Sequence, residues 1–137
     1  MKYEEIYLIN ERLTAVTDSL MQKKLPMKLT LPLTDNMRQI SAAMSDWRER
    51  YTTLLERYAK KGENGSYDVL PEFQEEYTDE VSSLMDYELK ESTVNLSKIP
   101  KSLLDYDDSR FDPLTAKELL SIQFMIDGET VTDKEAP

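Results

Sequence analysis

At 137 residues the chain is long enough for one domain with a single modest core. It carries 17 Lys and Arg against 27 Asp and Glu, a formal charge of -10, which argues against generic nucleic-acid binding because that affinity rests on cations neutralising phosphates. It has no Cys and no His, which removes disulfides, thiolate zinc sites, thiol nucleophiles and the commonest general base. No apolar run reaches bilayer length and the acidic start "MKYEEIYLINE" does not read as a signal peptide, so a cytoplasmic protein is expected.

Residues 3–24 read as a first helix, with Ile6, Ile9, Leu13, Val16 and Leu20 at alternating spacings of three and four. The next stretch, "LPMKLTLPLTDN" (25–36), alternates Met27, Leu29 and Leu31 with polar residues between two prolines. That period predicts a short edge strand over 27–31, because neither proline can donate to a ladder. Thr34 or Asp35 would then cap a second helix.

This second helix, over 33–61, has the stronger pattern. Leu33, Met37, Ile40, Met44, Trp47, Tyr51, Leu54 and Tyr58 keep the heptad-like stripe without a miss, with charges of both signs between them. A stripe this narrow needs another helix along it, and the economical partner is the first helix, running antiparallel. Trp47 and Tyr51 sit on the stripe, where core packing is the first reading. The alternative is that part of this aromatic and methionine-rich face docks a partner helix or a second copy. Lys60 and Lys61 suit a helix C-terminus, Gly62 suits a left-handed cap, and "GENGS" (62–66) reads as a solvent loop. It lacks the spacing and context of a phosphate-binding loop.

Residues 71–85 read as a third helix, with Phe73, Tyr77, Val81 and Leu84 on one face and Pro71 in its first turn. The other face is acidic: Glu72, Glu75, Glu76, Asp79 and Glu80. With Asp86, Glu88 and Glu91, and only Lys90 opposing them, these carboxylates form a candidate decoy for DNA phosphates, although most such runs are simply solvated. Residues 87–99 then read as an extended ribbon with an irregularity near 91–93, expected to pair with 27–31.

In the connector "DYDDSRFD" (105–112), Asp105, Asp107 and Ser109 match the first ligand positions of an EF-hand loop. Arg110 stands where that loop needs Gly and Ala116 where it needs Glu, so a solvated loop is the better reading. Thr115 and Glu118 have the spacing of a capping box, with Leu114 and Leu119 as its staple, and start a short last helix ending near Met125. The tail 128–137 is expected to be disordered. No catalytic constellation, cofactor motif or metal-ligand set emerges, and the chain reads as a non-enzyme.

The ordered segments "KLPMKLTLPLTDNMRQI", "RERYTTLLERYAKKGENGSY", "EFQEEYTDEVSSLMDYEL" and "IPKSLL…LTAKELLSIQFMID" together resemble small proteins of unknown function encoded by tailed phages and prophages of Gram-positive bacteria. Leu55, Arg57, Tyr58 and residues 62–65 fit that outline, as do Ile99–Leu104 with Leu119–Ile126; the likeness spans roughly residues 4–127. The resemblance transfers no site residues. It implies a protein that acts by binding, as a virion-assembly accessory or as an inhibitor of a host defence system.

The expected architecture is therefore mainly α-helical, of α+β type, in one domain over 1–127. It comprises a long antiparallel helical hairpin, a third helix, a short two-stranded β element and a C-terminal helix. The expected partners are another protein or a second copy, with no direct nucleic acid and no membrane.

Overall fold

The computed structural model describes residues 1–127, and the expected disordered tail lies outside them. The fold is mainly α of α+β type, as expected from the patterns. In chain order it runs α1 (Tyr3–Thr14), α2 (Thr17–Gln22), α3 (Met27–Tyr58), β1 (Ala59–Lys61), β2 (Tyr67–Val69), α4 (Gln74–Asp86), β3 (Ile99–Pro100), α5 (Ala116–Ile122) and β4 (Ile126–Asp127).

The first helix is broken rather than continuous over 3–24. Val16 leaves helical geometry at φ -123°, ψ -1°, and the chain resumes as α2. The hydroxyls of Thr14 and Thr17 bond back to the carbonyls of Asn10 and Leu13, at 2.7 and 2.6 Å, and such back-bonding loosens the ladder at this point. The break still leaves both Val16 and Leu20 buried.

The edge strand expected over 27–31 does not form; these residues are the first turns of α3, whose 32 residues extend for about 48 Å. A strand would set Met27, Leu29 and Leu31 on one face. The helix separates them: Leu29 joins Leu33, Asn36 and Ile40 in the core, while Met27 and Leu31 face outward at 64% and 61% exposure. Burying Leu29 and Leu33 contributes about 1.5–3 kcal/mol each and offsets the helix-interior Pro32, which cannot donate to the carbonyl of Lys28. Helix entry falls at Pro26, whose carbonyl accepts from the amides of Leu29 and Thr30, so neither Thr34 nor Asp35 is a cap.

The end of this helix also differs from the expectation of a cap at Gly62. Helical geometry stops at Tyr58, and Ala59–Lys61 pairs antiparallel with Tyr67–Val69 as a small hairpin. "GENGS" is its turn: the Gly62 amide donates to the Ser66 carbonyl at 2.7 Å, and Gly65 takes φ +85°, where a side chain would be strained.

The ribbon expected over 87–99 is mostly irregular, and it does not pair with 27–31. Glu88 makes an isolated antiparallel bridge to Lys2, and Ile99–Pro100 pairs in parallel with Ile126–Asp127. Between them, residues 95–97 run beside α3 and are held by its side chains. Asn36 accepts from the Ser97 amide at 2.7 Å and donates to its carbonyl at 2.8 Å. Gln39 does the same to Asn95, at 2.7 and 3.1 Å.

Helix α1 runs antiparallel to α3, as the stripes require. The Tyr3 hydroxyl donates to Asp46, Tyr7 lies against Trp47, and Leu13 lines a groove with Met37 and Ile40. Helix α4 packs antiparallel to the other end of α3, with Phe73, the residue just before it, against Tyr58 and Tyr77 against Tyr51. One core of Ile6, Ile9, Leu13, Leu20, Leu29, Leu33, Ile40, Ile99, Ile122 and Met125 joins α1, α2, α3 and the C-terminal segment.

Candidate interaction surfaces

Trp47 and Tyr51, the aromatic candidates, are adjacent on one flank of α3 and stack at 5.0 Å between centroids with planes 6° apart. Tyr7 of α1 tilts against Trp47 at 5.5 Å, and Tyr77 of α4 shares a hydrogen bond with the Tyr51 hydroxyl at 2.6 Å. These four rings form a seam joining three helices, and both Trp47 and Tyr51 are half-buried in it. Burial and the bond to Tyr51 push the Tyr77 hydroxyl up to about 12. The Trp47 indole N–H is buried with no hydrogen-bond partner among the described residues.

Beside the seam, Arg50 ties α1 to the end of α4. Its guanidinium lies 5.9 Å from the Tyr3 ring centroid and 5.5 Å from that of Tyr87, and its Nε donates to Asp46 at 3.1 Å. Burial and the bond to Asp46 raise Tyr3 to about 12, against the pull of the Arg50 charge.

The acidic candidates divide. Glu72, Glu75, Glu76 and Asp79 are exposed on the outer side of the 71–86 segment. Glu80 is half-buried and lines a groove of about 360 Å³ with Arg50 and Arg57 on the α3 side. The seam and the carboxylate row are therefore separate features: Tyr77 points inward to Tyr51 while the row points away.

A third surface escaped the sequence patterns. A groove of about 590 Å³ runs between the α1–α2 pair and α3, with Leu13, Met37 and Ile40 in it and Asn10, Thr14, Thr17, Asp18, Thr34, Arg38 and Ser41 along its walls. Met21, half exposed at 50%, closes one end. Met27 and Leu31, on the turns of α3 preceding Thr34, extend the apolar surface beyond it. The period-two alternation hid this patch, because it sets Leu29 on the face of Met27 and Leu31, whereas the helix turns Leu29 into the core and leaves the other two outward.

The capping box forms as expected and does more than cap. Glu118 accepts from the Thr115 amide at 2.8 Å and the Ser19 hydroxyl at 2.6 Å, with Lys23 Nζ 3.4 Å away. Burial of this carboxyl (1% exposed) works against ionisation, but the bonds from Ser19 and Thr115 and the Lys23 charge outweigh it and hold Glu118 below its usual range. In the connector, Asp108 is held down to about 2 by its bonds from Arg110, while Asp105 and Asp107 stay exposed. No group of three or more acidic side chains among the described residues is arranged to hold a metal ion. No helix of the described residues is long and apolar enough to cross a membrane. Comparison with protein families, curated proteins and solved structures finds none that matches this chain.

Proposed function

We propose that this chain is a non-enzymatic protein-interaction protein of phage or prophage origin, serving virion assembly as an accessory. The origin rests on the sequence resemblance alone. The observation that supports the binding role is the outward apolar patch of Met21, Met27 and Leu31 at one end of the helical hairpin. A strongly acidic chain presenting Met27 and Leu31 on neighbouring turns of α3, and Met21 on α2, has a reason to cover them. The test is a Met27→Ser/Leu31→Ser variant of the tagged chain. It should melt as the wild type does and lose the proteins recovered with it from its host; recovery of the same proteins by both forms counts against the reading.

A second reading is supported by the exposed row of Glu72, Glu75, Glu76 and Asp79, for which no ion pair is formed among the described residues. In it the chain is an acidic inhibitor whose carboxylates stand in for DNA phosphates on a host nuclease or defence complex. Such binding should vanish in Glu75→Lys/Asp79→Lys and weaken sharply by about 0.5 M salt. Binding indifferent to both would exclude it.

A further inference from the structure

We propose that the grooved face of the α1–α2 and α3 pair is a self-complementary interface that takes a second copy of this chain. This rests on the interaction reading above and names its partner. The groove has an apolar floor and two rims of opposite charge. On the α1–α2 side, Glu4 and Glu11 are exposed two turns apart on α1, and beyond the break at Val16 the exposed Asp18 lines the groove. On the α3 side, Arg38, Ser41, Ser45 and Arg48 follow at spacings of three and four and are also exposed, with Arg38 and Ser41 lining the groove. Asp35 lies further round the helix, off this flank, whereas Glu49 is in helical phase with Leu31 and lines a shallow groove with Ser45 and Arg48, so Arg38 is the unopposed cation of this rim. None of Glu4, Glu11, Asp18, Arg38 and Arg48 forms an ion pair among the described residues.

Charge selects the occupant and its orientation. Two such faces can meet about a two-fold axis lying across the helices or along them. The axis across sets α1 over α1 and α3 over α3, placing acid on acid and base on base. The axis along the helices sets α1 of one copy over α3 of the other and keeps each residue at its own height. Tyr7 is level with Trp47, and Asp18 shares the groove with Thr34 and Arg38. Glu11 and Asp18 of one copy therefore come over Arg38 of the other, a pairing that occurs twice, while Glu4 comes over Arg48 with Glu49 beside it offsetting part of the attraction. Met21 and Met37, unbranched and adaptable, fill the space between the two hairpins. The product is a four-helix arrangement of two antiparallel pairs. The net charge of -10 opposes association of like copies, so matched rims are what this face needs to pair at all.

The experiment uses the full chain in light scattering up to about 1 mM, a range that captures weak association. The wild type should dimerise. Arg38→Glu/Arg48→Glu makes both rims acidic and Glu11→Arg/Asp18→Arg makes both basic; each alone should lose about tenfold or more in affinity. Mixed together they should form a one-to-one dimer, a rescue that a merely structural effect of the substitutions would not produce. Circular dichroism checks that each variant is folded, and the single variants Arg38→Glu and Asp18→Arg replace any double variant that is not. A wild type monomeric throughout, or a mixture that stays monomeric, overturns the dimer. If the wild type is monomeric while Met27→Ser/Leu31→Ser still loses its partner, the dimer fails and the interaction reading stands.

Discussion

Asn36 holds Ser97 by its own backbone: the side-chain amide accepts from the Ser97 N–H at 2.7 Å and donates to the Ser97 carbonyl at 2.8 Å. A buried amide thus does for an unpaired segment what a neighbouring strand would do. Asn36 also lies 3.3 Å from the Met125 sulfur, so one fully buried polar side chain joins α3, the 94–98 segment and the C-terminal turn. Asn36→Leu leaves both backbone groups of Ser97 without these partners and should cost about 2–3 kcal/mol in urea unfolding. Gln39→Ala, at the exposed end of the same clasp, should cost about 1 kcal/mol. Equal losses at the two positions would contradict this division.

Pro32 sits inside α3 where an amide would donate to Lys28. Pro32→Ala restores that donor, against which the unfolded chain gains freedom worth about 0.4–1 kcal/mol. The variant should be more stable than the wild type by about 1–2 kcal/mol, with undiminished helical circular dichroism. Destabilisation would mean that residues 27–31 are not the start of a continuous helix.

Glu118 makes stability depend on acid. Its folded-state carboxyl titrates below the unfolded value, so its contribution is fully present above the unfolded carboxylate range, near pH 4.5, and is lost as pH falls through the lowered folded value. Glu118→Gln should lose about 2 kcal/mol at pH 7, as the charged hydrogen bonds from Ser19 and Thr115 weaken, and should show a shallower loss of stability below pH 4.5 than the wild type. Parallel stability curves for the two proteins would show that the carboxylate is not a source of the pH dependence.

Trp47 is stacked in the seam, and its indole N–H finds no acceptor there. Trp47→Ala should cost about 3 kcal/mol, close to the loss for a core aromatic. Trp47→Phe keeps most of the ring contact and removes the unpartnered donor, so it should fall within about 1 kcal/mol of the wild type. A large loss for Trp47→Phe would point to an acceptor for that N–H in solution.

Much of this fold was legible in the sequence. The unbroken stripe from Leu33 to Tyr58 required a long helix with a partner along it, and Thr115 with Glu118 marked the start of the last helix. The acidic row on α4 was legible too, since charge and apolar residues alternate at helical period there. The segment 27–31 was misread because its alternation between prolines suits a strand as well as a helix. The deciding term is tertiary: Leu29 is in helical phase with Leu33, Asn36 and Ile40 and is buried with them. The clasp of Asn36 and Gln39 carries no local signal, because its partners lie 61 and 56 residues away. The opposed rims of the groove were equally invisible, since they appear only when α1 and α3 are set side by side.

The central claim is that the outward flank at the start of α3 is a binding surface, and a photo-crosslinking residue at position 31 tests it directly. In cells making the full chain, position 31 should yield a discrete adduct whose mass identifies a second copy or another protein, while position 63 in the hairpin turn yields none. Indistinguishable adduct patterns from the two positions would contradict the claim.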